Sequence, residues 1–150
     1  MSRTTARTAA MQMIFERVSG GQGGEETLQM VYDELREYGA ADAGRIGARE
    51  PDEEDRAYIA QAFEGVMQHR DELDGLIEKT SKGWKLDQMS LVILSILRLA
   101  IWEIYYEPQV PDRVAIAEAV ALTERYSGEE DKPFVNGILG TIQREKEAQQ

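Results

Sequence analysis

The chain has 150 residues, of which 42% are hydrophobic and 30% charged, so the expectation is one compact domain over 1–150 rather than a multidomain enzyme. Cysteine is absent and His69 is the single histidine, which removes disulfides, thiolate nucleophiles, zinc sites of the usual Cys or paired-His kind, and any hydrolytic triad not built on His69 or a lysine. Seventeen Lys plus Arg against 28 Asp plus Glu give a net charge of −11, which argues against a surface that coats nucleic acid or anionic lipid everywhere and leaves room only for a local basic site.

From the amino terminus, Met1 to Arg17 lacks the apolar block of a signal peptide, so no export is expected and a cytoplasmic location is. Ala6, Ala9, Ala10, Met13 and Ile14 fall on one face of a first helix, which breaks at the glycine run Gly20 to Gly24. A second helix is expected from about Glu25, burying Leu28, Val31, Tyr32, Leu35 and Tyr38 up to Gly39. Gly39, Gly44, Gly47 and Pro51 then mark a long loop. Asp52 to Asp55 open a third helix with the stripe Ile59, Ala62, Phe63, Val66 and Met67, continued by a stretch carrying Leu73, Leu76 and Ile77 and interrupted at Lys82-Gly83.

A very apolar helix is expected from Leu86, with Met89, Val92, Ile93, Ile96, Leu97, Ala100, Ile101 and Ile104 spread over more than one face, so neighbours must cover it on most sides. Its run from Leu91 to Tyr106 is short of the roughly 18 to 20 apolar residues of a membrane helix and contains Arg98 and Glu103, so no membrane association is expected. Pro108 and Pro111 end it. A helix from about Val114 to Tyr126 follows, then Gly128, then a last helix with Pro133 in its first turn and Phe134, Val135, Ile138, Leu139 and Ile142 on one face. No segment alternates like a strand. The fold class is all-α, a single bundle of about seven helices.

Few residues carry chemistry. The glycine run has no following Gly-Lys-Ser/Thr, so it reads as a linker and not a phosphate cradle. The acidic clusters Glu50 to Asp55 and Glu129 to Asp131 lack the spacing of a calcium loop and suit helix starts. His69, without a second histidine or cysteine, reads as a surface or capping residue. No catalytic group, metal site or cofactor is expected. Two features remain. Met1 to Gly24 has Arg3, Arg7 and Arg17 against Glu16, a local net charge of +2 on an acidic chain, and Arg3 and Arg7, four apart, share a helix face from which both could meet phosphates. Tyr126, Lys132 and Phe134 bracket the turn between the last two helices, where aromatics beside a base can stack unpaired nucleobases; packing of that helix junction is the alternative.

Taken together, Ala6-Arg7, Phe63-Glu64-Gly65-Val66 with His69 and Glu72-Leu73-Asp74, Trp84-Lys85-Leu86, Ile96 to Glu103, Val110-Pro111 with Val114 to Val120, and Phe134 to Leu139 resemble the NusB family of transcription antitermination factors. The resemblance covers most of the chain. It implies an all-helical, non-enzymatic adapter that binds boxA-type single-stranded leader RNA together with the small-subunit ribosomal protein NusE, works with the transcription elongation complex and supports ribosomal RNA operons. It also implies an RNA-binding site mapping to Arg3, Arg7, Tyr126, Lys132 and Phe134, converging on one face. The chain departs from the family pattern at Thr4 and Thr5, where a denser arginine run is usual, and at Ala117, where asparagine is usual; with the acidic net charge, this makes RNA binding expected to lean on the protein partner. Two other readings compete. One is a protein-only adapter acting on a partner or on a second copy as a homodimer, for which Trp102, Tyr105 and Tyr106 would suit an interface, though burial explains them equally well. The other is the RNA-binding domain of a methyltransferase, which the lack of a glycine-rich cofactor loop opposes.

Overall fold

A computed structural model describes residues 3–20, 29–30, 33 and 52–149. The second expected helix and the expected loop at 39–51 fall largely or wholly outside the described residues, although 29, 30 and 33 are helical. Among the described residues there are six longer α-helices and no strand: α1 (Arg3–Val18), α2 (Glu53–Gln68), α3 (Arg70–Thr80), α4 (Leu91–Tyr106), α5 (Asp112–Tyr126) and α6 (Lys132–Ala148). The all-α expectation holds. The chain divides into two compact units, Met1–Glu64 and Gly65–Gln150.

In the first unit, α1 buries the expected Ala6, Ala9, Ala10, Met13 and Ile14, together with Arg7, Thr8 and Met11. Burial of Ala6 through Met11 without a break means that this part of the helix is enclosed on all sides, more than one stripe predicts. Thr8 returns its hydroxyl to the Thr4 carbonyl at 3.0 Å, which removes a polar group from the enclosed surface. The start of α2 carries a reciprocal cap: the Asp55 amide donates to Asp52 Oδ1 at 2.8 Å and the Asp52 amide donates to Asp55 Oδ2 at 3.1 Å. These bonds satisfy donors that a helix start leaves open. The Asp55 backbone amide, more than any other group, holds the Asp52 carboxyl below its ordinary pKa.

The second unit is organised around α4. Every residue from Ile93 to Ile104 is buried, and α4 packs against α5, α6 and α3, while α6 also packs against α5 and α3. The helix begins at Leu91, not Leu86. Ser90 caps it by accepting the Ile93 amide at 3.1 Å, and Leu86–Gln88 form a separate 3₁₀ turn, because a capping serine with extended backbone cannot lie inside a helix. Trp102, an interface candidate from the sequence, is instead core at 6% exposure. Gly65 of α2 makes room for it, since a methyl group there would overlap the indole ring. Tyr106 does emerge, at 38% exposure, with His69 stacked on it at 4.2 Å and its hydroxyl donating to Glu72 at 2.8 Å.

Two ionic contacts lock this core. Arg98, 3% exposed, holds Asp74 of α3 through a fork, Nε to Oδ1 at 2.8 Å and Nη2 to Oδ2 at 3.1 Å. Its Nη1 has no hydrogen-bond partner among the described residues, so Asp74 is the compensation for that buried cation. At the opposite end, Lys146 of α6 donates to the Ile104 carbonyl at 2.7 Å and to Asp112 Oδ1 at 3.1 Å, placing positive charge at the C-terminus of α4 and at the acidic first turn of α5. Replacing Asp74 with Ala leaves Arg98 buried and uncompensated, at an expected cost of about 3–5 kcal/mol and a fall in melting temperature of about 10 °C. An unchanged thermal unfolding curve would refute this role for the pair.

Candidate nucleic-acid interface

The junction of α5 and α6 is a tight, well-bonded turn. After Tyr126 the Ser127 and Gly128 amides both donate to the Thr123 carbonyl at 2.9 Å, closing the helix. Gly128 then takes φ +154° and ψ 154°, a region open essentially to glycine alone. A 3₁₀ turn, Glu129–Asp131, leads into α6, and the Ser127 hydroxyl donates to Asp131 Oδ2 at 2.5 Å, so both ends of the turn are tied. Pro133 sits at the start of α6, where a missing amide costs nothing.

This turn presents three of the residues singled out in the sequence. Phe134 is half-buried and meets Trp84 edge to face, with ring centroids 5.8 Å apart. Tyr126 is half-buried, and the Arg125 guanidinium lies over its ring at 5.4 Å. Lys132 is half-buried with its ammonium 3.3 Å from Glu124 and 3.9 Å from Glu129, so part of its charge is already balanced. Of the three, Phe134 alone lines a cleft of about 290 Å³, together with Trp84, Gln88, Met89, Ser90, Ile93, Ser127 and Asp131.

Trp84 is the residue that sequence reasoning missed. It is 53% exposed, the most open aromatic among the described residues, and its partner is Phe134. An indole beside Lys82-Gly83, between helices and outside every apolar stripe, was the available signal. An exposed ring with a second ring on its edge offers a flat apolar face of the kind on which bases stack.

Arg3 and Arg7 belong to the first unit. Arg3 is exposed at the start of α1, with its guanidinium over the Tyr58 ring at 4.6 Å. Such a contact orients the fork while leaving its charge in place. Arg7 is only 3% exposed, so the two arginines do not stand equally open on one face of α1.

Among the described residues there is no cluster of three or more His, Asp or Glu that could hold a metal ion. No helix among them is long and apolar enough to cross a membrane. Tyr106 is held protonated above the ordinary phenol pKa, first by its hydrogen bond to Glu72 and then by burial. Burial, then the charges of Glu145, Glu72 and Asp112, does the same for Tyr105.

An all-helical module with an aromatic and basic turn between its last two helices is the class of protein that fold and site define. The NusB family model matches residues 4–144, and the chain belongs to that family. A transcription antitermination protein NusB of Acetivibrio thermocellus is 40% identical over 97% of this chain and 91% of its own length. The NusB structure of T. maritima is 27% identical, covers 97% of this chain and 92% of that one, and superposes with a TM-score of 0.77. A crystal structure of the antitermination factors NusB and NusE in complex with double-stranded RNA contains the same fold, at a TM-score of 0.74 and 23% identity over 95% of this chain and 96% of that one.

Replacing Gly128 with Ala puts a side chain on strained backbone and is expected to cost about 1–3 kcal/mol. The near-ultraviolet circular dichroism of Trp84, which rests on Phe134 beyond the turn, should change with it. A variant with the parent's melting temperature and aromatic spectrum would show that the turn tolerates a side chain.

Proposed function

We propose that this chain acts as a transcription antitermination factor that binds boxA-type single-stranded RNA together with NusE, joins the transcription elongation complex in that form, and supports transcription of ribosomal RNA operons. Residues 1–150 act as one RNA- and protein-binding domain in the cytoplasm, with no catalytic role and no cofactor. The observation that carries the reading is the edge-to-face pair of the exposed Trp84 with Phe134 at the α5–α6 turn, on a chain of the NusB family. The solved complex with NusE and RNA makes those two partners the ones to test.

In this reading Phe134 and Tyr126 stack bases, Lys132 exchanges a carboxylate for a phosphate, and Arg3 contacts phosphate from α1. Arg7, enclosed as it is, enters only if RNA binding uncovers it; a binding loss in Arg7→Lys at an unchanged melting temperature would register that. The net charge of −11 favours dependence on NusE, because the field of the whole chain repels RNA. The balanced charge of Lys132 also keeps the protein-only adapter, or a homodimer, as the second reading.

The test is a titration of boxA-type RNA, single-stranded and duplex, with and without NusE, at several salt concentrations. Phe134→Ala is expected to lose roughly 1–3 kcal/mol of RNA binding with little change in salt slope. Arg3→Ala should flatten the log-log salt dependence by about 0.7. If the parent chain binds NusE but takes up no RNA in any arm, the protein-only reading replaces this one.

A further inference from the structure

A second groove lies between α5 and α6. Arg113 of α5 and Arg144 of α6 flank it, Asn136 and Gln143 add amides, and Gly137 and Gly140 form its floor, with a volume of about 380 Å³. In a chain with 28 carboxylates, none lines this groove. Both arginines are exposed, and neither makes an ion pair with a described residue; Arg144 donates only to the Thr141 hydroxyl at 3.1 Å. A side chain at Gly137 would meet open space, so the floor lets a ligand backbone come close to the helix.

We propose that this groove carries the phosphate backbone of the RNA beyond the segment held at the α5–α6 junction. The inference rests on the RNA reading above and extends it to Arg113 and Arg144. Lys132, Asn136, Gly140 and Arg144 occupy successive i+4 positions of α6, the ridge that winds slowly around a helix. It runs about 18 Å from the junction to Arg144. A strand leaving the junction at Lys132 and following this ridge therefore reaches two guanidinium forks suited to phosphate, with the amides placed for sugar or base edges. The groove has no exposed aromatic anchor, which makes a protein occupant the weaker fit.

The experiment compares two RNAs, a boxA-type oligonucleotide of roughly six nucleotides and the same sequence extended to roughly sixteen, each with NusE present, against the parent, the double variant Arg113→Ala/Arg144→Ala and, separately, Gly137→Glu. The double variant should bind the short RNA like the parent and the long RNA more weakly, with a salt slope flatter by about 1.4 for two lost phosphate contacts. Gly137→Glu, which improves helix propensity while adding a carboxylate to the floor, should weaken the long RNA alone at an unreduced melting temperature. Parent-like binding of both RNAs by both variants overturns the proposal and leaves the junction reading intact. Weakened binding of NusE in the absence of RNA overturns it in favour of a protein surface. Failure of the parent chain to bind either RNA overturns this inference and the RNA reading together.

Discussion

A helix buried on every side is the constraint from which the second unit follows. Because Ile93 to Ile104 are all enclosed, α4 has no solvent face to satisfy, and three helices must be arranged around it. That demand explains why α3, α5 and α6 are each amphipathic while α4 is not. It also explains why a cation inside α4 needs a partner from outside, Arg98 reaching Asp74 on α3; near the end of α4, Lys146 of α6 donates to the Ile104 carbonyl. Apolar packing is non-directional, whereas a forked guanidinium–carboxylate contact holds in one geometry. The ionic contacts therefore set the register in which the apolar surfaces close.

The same arrangement positions the α5–α6 turn. Both helices are committed to α4 along their length, so the chain between them must reverse within a few residues. Gly128 supplies the backbone conformation, and the Ser127–Asp131 bond closes the turn. Phe134 follows at once, on the side of α6 next to the Trp84 loop and not in the core stripe of Val135, Ile138, Leu139 and Ile142. The exposure of these rings is thus a consequence of where the core ends.

Helix type and core membership were legible in the sequence because they follow from periodicity: Ile59, Val66, Ile77, Ile96, Leu97 and Ile142 are all buried as the pattern predicts. Boundaries were less legible. Ser90 stops α4 short of Leu86 through a side-chain cap, a local bond that competes with helix continuation and leaves no trace in hydrophobic spacing. Trp102 stayed open because a large amphipathic ring near a helix end reads equally as interface or core; the structure makes it core, against Gly65, which is far away in sequence. For the site, residue type pointed to Phe134, Tyr126 and Lys132, but pairing did not: that Trp84 faces Phe134 and that Glu124 holds Lys132 are tertiary facts. Likewise α1 shows five apolar positions by spacing and eight buried residues in fact, so the difference between Arg3 and Arg7 could not be read from their four-residue interval.

Charge decides what kind of binding such a surface supports. Long-range attraction of a polyanion scales with the field of the whole molecule, and at −11 that field opposes approach. Short-range contacts are different: a stacked base or a fork on phosphate acts within a few ångströms, where distant carboxylates are screened by salt. A ligand held in this way gains little from its own diffusion to the surface and much from being delivered by a partner that already holds it. Lys132 adds a local constraint. Its ammonium sits between Glu124 and Glu129, so a phosphate arriving there must displace carboxylates that cost the protein nothing to keep. In the proposed RNA site, affinity at the turn would therefore come chiefly from the aromatic pair Trp84 and Phe134, and the ion-paired lysine would discriminate against weakly docked anions. On this physics, a more positive surface would bind RNA faster and less selectively, and under the proposed function the acidic chain would trade that speed for dependence on a second protein.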